Sequence, residues 1–237
     1  VLVTCTDGEL GDGPGGTKPG EEGHDEATVV EIRRKELEAS CRILGVGHLE
    51  RLGYRDSGME GWDDNTHPSA FWNTSVEVAS GRLAELMARY RPDVVVTYDE
   101  RGGYGHPDHI QAHRITMAAA ESTGIPAKVY FGVFPRSAFH QFRQVLIDAG
   151  VEPPFPPEEE PEFGVDDALI TTTVACPDTV GRKYEALAAH ASQTDNTFFL
   201  QMGREVFSTL FGTEWFVRAV DRTGTPVPED DLFAGVA

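Results

Sequence analysis

The stretch DERGGYGHPDHIQAH, Asp99 to His113, gathers three glycines, three histidines, three acids, a tyrosine and a proline into fifteen residues. Two histidines three apart, His106 and His109, can take different tasks. One can hold a metal through a neutral imidazole while the other gives or takes a proton. Asp108 between them can orient and charge-tune a neighbouring ring, and the Tyr104 phenol can meet a developing oxyanion. His113 lies one helical turn beyond His109, so the pair reads HxxxH. Ile110 stands where the zinc-protease motif needs glutamate, and His113 is better read as a packing or surface residue. One histidine cannot hold a metal alone, so further ligands must come from elsewhere.

The neighbouring elements explain why chemistry belongs at this place. DVVVTYDE, immediately before the loop, is a continuous β-branched run, the mark of a central strand buried on both faces. In open α/β sheets, ligands bind beyond the carboxyl ends of the strands. Gly102, Gly103 and Gly105 permit a turn that side chains would block. Pro107 and Asp108 suit the first turn of a helix that the spacing predicts over 109–122.

Apolar periodicity predicts further helices over 25–44, 76–90, 137–149, 180–191 and 198–211. Val78, Leu83, Leu86 and Met87 are expected on one face of the second of these, and Leu37, Cys41 and Leu44 on one face of the first. VLVTCT, GHLERLGY, KVYFGVF, ALITTTVAC and EWFVRAV read as strands. DGELGDGPGGTKPGEEG reads as a long glycine-rich loop, filler unless Glu9 or Asp12 reaches a site. The alternation predicts an α/β fold: a Rossmann-like, mostly parallel sheet with covering helices and a smaller C-terminal α+β part. The expected division is a catalytic core over 1–135 and a part completing the cleft over 136–237, with an exposed proline- and glutamate-rich loop over 151–166.

The chain has 237 residues, is 40% hydrophobic and carries a formal charge of −19. Such a surface repels nucleic-acid phosphates and anionic lipid, and no apolar run is long enough for a membrane span. Three scattered cysteines, Cys5, Cys41 and Cys176, form no disulfide or metal pattern. They are expected to be plain buried thiols in a cytoplasmic protein.

TYDERGGYGHPDHI resembles the second signature of the LmbE/PIG-L family of zinc-dependent N-deacetylases. VTCTDGELGD, EIRRKELEASCRILGV, YRDSGM, ALAAHASQ and EDDLFAGV extend the likeness over nearly the whole chain, closest to the actinobacterial mycothiol-pathway members. The resemblance implies one Zn2+ per chain, with Fe2+ as an alternative, and His109 as a ligand. His106 would stabilise the oxyanion and protonate the leaving amine, Asp108 would tune His106, and Tyr104 would assist at the oxyanion. It also implies Arg33, Asp56 and Met59 as substrate-binding residues, with His190 near the cleft. The family's first signature, AHPDDE, supplies two further ligands and the general base. It does not occur in these residues, and the expectation is that it and a preceding strand lie upstream of Val1.

The function implied is metal-assisted hydrolysis of an N-acetyl amide on a GlcNAc-type sugar such as GlcNAc-inositol. The partner is thus a small amino-sugar or thiol-conjugate substrate, and a homo-oligomer stays open. GYGHPDH leans to the deacetylase, whereas HASQTDNTFF and PEDDLFAGV lean to a mycothiol S-conjugate amidase. An antibiotic-biosynthesis relative and an inactive sugar-binding relative are the remaining alternatives. Dinucleotide binding and serine catalysis lack their motifs, GxGxxG after a strand and GxSxG.

Overall fold

The computed structural model describes residues 1–153 and 163–236. The middle of the expected 151–166 loop lies outside the described residues. The chain falls into two compact units: residues 1–74 with 178–209, and residues 75–177 with 210–237.

In the first unit, strand β1 (Leu2–Thr6) leads into the glycine-rich loop, and helix α1 (Glu26–Leu44) follows. Asp25 caps α1 by accepting from the Thr28 N–H at 2.9 Å. Gly45, at φ 74°, ends it in the left-handed conformation. Strand β2 (Leu49–Tyr54) then pairs parallel with β1, Leu2 opposite Leu49. Val29 and Cys41 of α1, with Leu52, Ala70 and Phe71, are buried here, whereas Leu44 is exposed because it sits at the helix end.

The second unit opens on helix α2 (Val76–Tyr90), whose buried face is Ala79, Leu83 and Met87 at i, i+4 and i+8. Val78, expected on that face, is instead 60% exposed. Strand β3 (Val94–Thr97) is followed by a single turn, α3 (Gly102–Gly105), and then by helix α4 (Pro107–Thr123). Helix α4 packs on α2, and its Ile115, Ala119 and Ala120 are buried. Strand β4 (Lys128–Val133), helix α5 (Arg136–Asp148) and strand β5 (Thr172–Ala175) come next.

Back in the first unit, helix α6 (Val180–Ala188) packs against α1. The helix expected over 198–211 is two helices, α7 (Thr197–Gln201) and α8 (Gly203–Phe211). Gly203 has φ 80°, which breaks the run between them. Strand β6 (Thr213–Asp221) closes the second unit's sheet, whose order is β3-β4-β6-β5.

The fold class is the expected α/β, with one departure in strand placement. β3 pairs parallel with β4, but β6 returns antiparallel between β4 and β5. Among the described strands β3 therefore lies at an edge rather than in the centre, and Val96 is 49% exposed. Of the three cysteines, all free, Cys41 is buried, while Cys5 and Cys176 are only half-buried.

The C-terminal tail, aperiodic in sequence, anchors to this sheet. The Glu229 carboxylate accepts from Lys128 Nζ at 2.5 Å, Arg218 Nη1 at 2.8 Å, Tyr130 Oη at 2.9 Å and Thr172 Oγ1 at 3.0 Å. Lys128 and Glu229 side chains are 0% and 1% exposed, so each charge relies on this network.

Candidate active site

The loop after β3 is built by its backbone. The Asp99 carboxylate accepts from the N–H groups of Arg101 at 3.1 Å and Gly103 at 2.8 Å, which starts the turn. Gly102 is buried at φ 64° and touches the start of α4 so closely that a Cβ there would lie 2.7 Å from His109 Cβ and from Ile110 N. No other residue fits that approach.

This turn delivers His106 and His109 to the helix start in complementary states. His106 is the N-cap of α4: its Nδ1 accepts from the Asp108 N–H at 3.1 Å. His109 Nδ1 lies 3.1 Å from the Gly102 carbonyl oxygen. A carbonyl only accepts, so His109 carries its proton on Nδ1 and its lone pair on Nε2. An amide N–H only donates, so neutral His106 carries its lone pair on Nδ1 and its proton on Nε2. The two rings thus differ at Nε2, a lone pair on His109 and, in the neutral form, an N–H on His106.

Aromatic neighbours hold both rings. Tyr98 stacks on His109 at 4.0 Å between centroids, His106 stacks on it at 4.8 Å, and Tyr104 meets it edge-on at 5.1 Å. Tyr104 itself is 56% exposed. Asp108 is buried in the first turn of α4, with a carboxylate oxygen and a His106 ring nitrogen within 4.8 Å of each other. His113 Nδ1 donates to the Tyr98 carbonyl oxygen at 3.0 Å, and its ring packs at 5.0 Å on Phe131, the packing role expected for it.

The donor chemistry at His109 fits a divalent ion. Its Nδ1–H is tied to a backbone carbonyl, the arrangement that orients a ligating imidazole and raises its basicity.

The other expected site residues, Arg33, Asp56 and Met59, belong to the first unit. Arg33 lies on α1, and its Nη1 donates to Glu36 Oε2 at 3.3 Å and to His190 Nδ1 at 3.1 Å. Its Nη2 has no protein partner among the described residues. Asp56 Oδ1 accepts from the Gly58 N–H at 2.8 Å, which closes its own turn. Met59 is exposed. The loop after β1 runs past two of these residues: a Cβ on Gly8 would lie 3.5 Å from Arg33 Nε, and Glu9 sits beside Asp56.

Glu9 is buried, and burial pushes its carboxyl above the ordinary range, against hydrogen bonds from its own and the Asp56 backbone. Asp12 anchors the glycine-rich loop. Its carboxylate takes Lys18 Nζ at 2.8 Å and the N–H and hydroxyl of Thr194 at 2.8 and 2.5 Å. The glycine-rich loop is therefore pinned and not filler. The contact of His190 with Arg33 is the feature that sequence reasoning missed. The contact spans 157 residues, and no local spacing announces it.

Within an α/β fold, a glycine-hinged loop at the carboxyl end of a sheet strand thus offers two histidines of opposite tautomer. The chain belongs to the family PIG-L: GlcNAc-PI de-N-acetylase, whose sequence pattern matches residues 1–120.

The chain is 40% identical over 253 residues to 1D-myo-inositol 2-acetamido-2-deoxy-alpha-D-glucopyranoside deacetylase of Acidothermus cellulolyticus, covering 100% of this chain and 85% of that one. It is 35% identical over 256 residues to mycothiol S-conjugate amidase of Streptomyces coelicolor, covering 100% and 87%. In structure it resembles the N,N'-diacetylchitobiose deacetylase from Pyrococcus horikoshii, with TM-score 0.52 and 21% identity over 91% of this chain and 70% of that one. No described helix is long and apolar enough to cross a membrane.

Proposed function

We propose that this protein is a metal-dependent N-deacetylase that hydrolyses the N-acetyl amide of a GlcNAc-type amino sugar such as GlcNAc-inositol, releasing acetate and the free amine. Family membership and the 40% identity along the full chain support the reaction class. The observation that carries the residue roles is the pair of opposite tautomers at His106 and His109.

His109 would hold the metal through Nε2, with Gly102 fixing the ring by accepting from Nδ1. Zn2+, or Fe2+ in its place, would supply Lewis acidity there, polarising the acetyl carbonyl and acidifying the attacking water. His106 supplies a neutral Nε2–H as donor to the amide oxygen as negative charge develops there. Protonation of the leaving amine needs the imidazolium, which would form on His106 by taking up the proton that the attacking water gives up. The Nδ1–H of that form can no longer accept from the Asp108 N–H, and the nearby Asp108 carboxylate is the group that stabilises it. Tyr104, edge-on to His109 and exposed, adds a phenol at the oxyanion. Arg33, Asp56 and Met59 bind the sugar and its aglycone, Arg33 through Nη2 and Asp56 through the oxygen not used in its turn.

The test is acetate release from GlcNAc-inositol by purified enzyme, stripped by a chelator and then reloaded. Turnover restored by zinc or ferrous iron supports the reading, and turnover unaffected by stripping contradicts it. The amidase relative at 35% identity supports a second substrate, a mycothiol S-conjugate. Comparing kcat/KM on the two substrates decides between them.

A further inference from the structure

We propose that His190 is a positioning residue for substrate binding: its neutral ring, with the lone pair on Nδ1, fixes the Arg33 guanidinium so that the Nη2 edge meets the hydroxyl groups of the amino-sugar substrate. The proposal rests on the reading of Arg33 as a substrate-binding residue.

Arginine has donors and no acceptor, so the 3.1 Å contact from Arg33 Nη1 requires a lone pair on His190 Nδ1. The ring is therefore in its Nε2–H form. A protonated ring would place an N–H against an N–H and a positive charge against a guanidinium. The groups that face His190 are Arg33 and Glu36, both from α1, with Glu36 Oε2 at 4.0 Å from Nδ1. Burial and then Arg33 hold the ring below the ordinary histidine range, with Glu36 opposing them.

The remaining contacts make the arrangement stiff. Glu36 takes Arg33 Nη1 at 3.3 Å and is itself held by Ser192, through N–H at 2.7 Å and hydroxyl at 2.9 Å. Ser192 lies two residues beyond His190, so one short segment after α6 fixes both partners of the guanidinium. Nη1 thus meets a carboxylate and an imidazole, and the side chain, 27% exposed, keeps Nη2 for a ligand. A guanidinium edge is a planar donor suited to adjacent hydroxyl oxygens, provided its rotamers are already restricted.

The experiment compares kcat and KM for GlcNAc-inositol, across acidic to neutral pH, in wild type, His190→Ala, His190→Asn and Arg33→Ala. His190→Ala is expected to raise KM about tenfold, the size of one hydrogen bond to a charged group, with kcat nearly unchanged. His190→Asn offers an amide oxygen to Arg33 and does not titrate. It should restore the wild-type KM and flatten the rise in KM expected of wild type as acid protonates His190. Wild-type KM in His190→Ala together with a raised KM in Arg33→Ala would overturn the role of His190 alone. An unchanged KM in Arg33→Ala would overturn the reading of Arg33 and this proposal with it.

Discussion

His106 and His109 stack with their ring centroids 4.8 Å apart, yet the backbone holds them in opposite tautomers. The Asp108 N–H donates to one and the Gly102 carbonyl accepts from the other. Two identical side chains three residues apart are thereby given different chemistry before any ligand arrives.

If His106 is the oxyanion donor and proton carrier, His106→Ala should keep its metal and its fold. Its kcat should fall roughly 100- to 10,000-fold, the usual contribution of a positioned proton-transfer group. Steady-state kinetics with metal analysis on the same sample checks this. A rate within a few-fold of wild type would contradict the role.

Gly102 is the hinge that lets the loop touch His109. Gly102→Ala places a Cβ 2.7 Å from the His109 Cβ at a φ that side chains avoid, and the obstruction is backbone and ring root rather than a flexible chain end. We expect a loss of about 1–3 kcal/mol in urea unfolding. Metal affinity should weaken with it, because the Gly102 carbonyl orients His109. Gly103→Ala meets no atom within 4 Å but shares a positive φ, so it should weaken the loop without disturbing His109 as directly.

Removing charge from Glu229 strands a buried lysine. Glu229→Gln leaves Lys128 Nζ, 0% exposed, without its counter-ion, and should cost about 3–5 kcal/mol. Equilibrium unfolding measures it, and a cost well below that range would show that the pair contributes little.

The same carboxylate gives stability a pH dependence. Burial alone would raise the Glu229 pKa. Hydrogen bonds from Lys128, Tyr130 and Thr172 outweigh it and hold the group below its ordinary 4.5. A depressed folded-state pKa stabilises above the unfolded value and loses that contribution as pH falls through the folded one. Stability measured on descent into the acid range should therefore fall more steeply in wild type than in Glu229→Gln. Parallel curves would contradict the assignment.

The loop was legible because its chemistry is local. Gly102, Pro107 and the HxxH spacing state a turn, a helix start and two converging rings within eight residues. The helices over 26–44 and 76–90 were legible in the same way, from periodicity and from caps such as Asp25 and Gly45.

What sequence did not disclose depends on distant partners. The β-branched run of β3 describes a strand content to be buried, but its place in the sheet depends on β6 returning antiparallel beside β4. Val78 and Leu44 are apolar and in phase, yet each lies at the margin of its helix's packed face. The burial of Glu229 in an aperiodic acidic tail follows from Lys128 and Arg218, 101 and 11 residues away. His190 meets Arg33 across 157 residues.

Whether His109 is a metal ligand is read most directly from the metal content of His109→Ala. Purified wild type should bind one zinc or ferrous equivalent, and His109→Ala, folded by circular dichroism, should bind none and release no acetate from GlcNAc-inositol. A stoichiometric metal retained in folded His109→Ala would contradict that role.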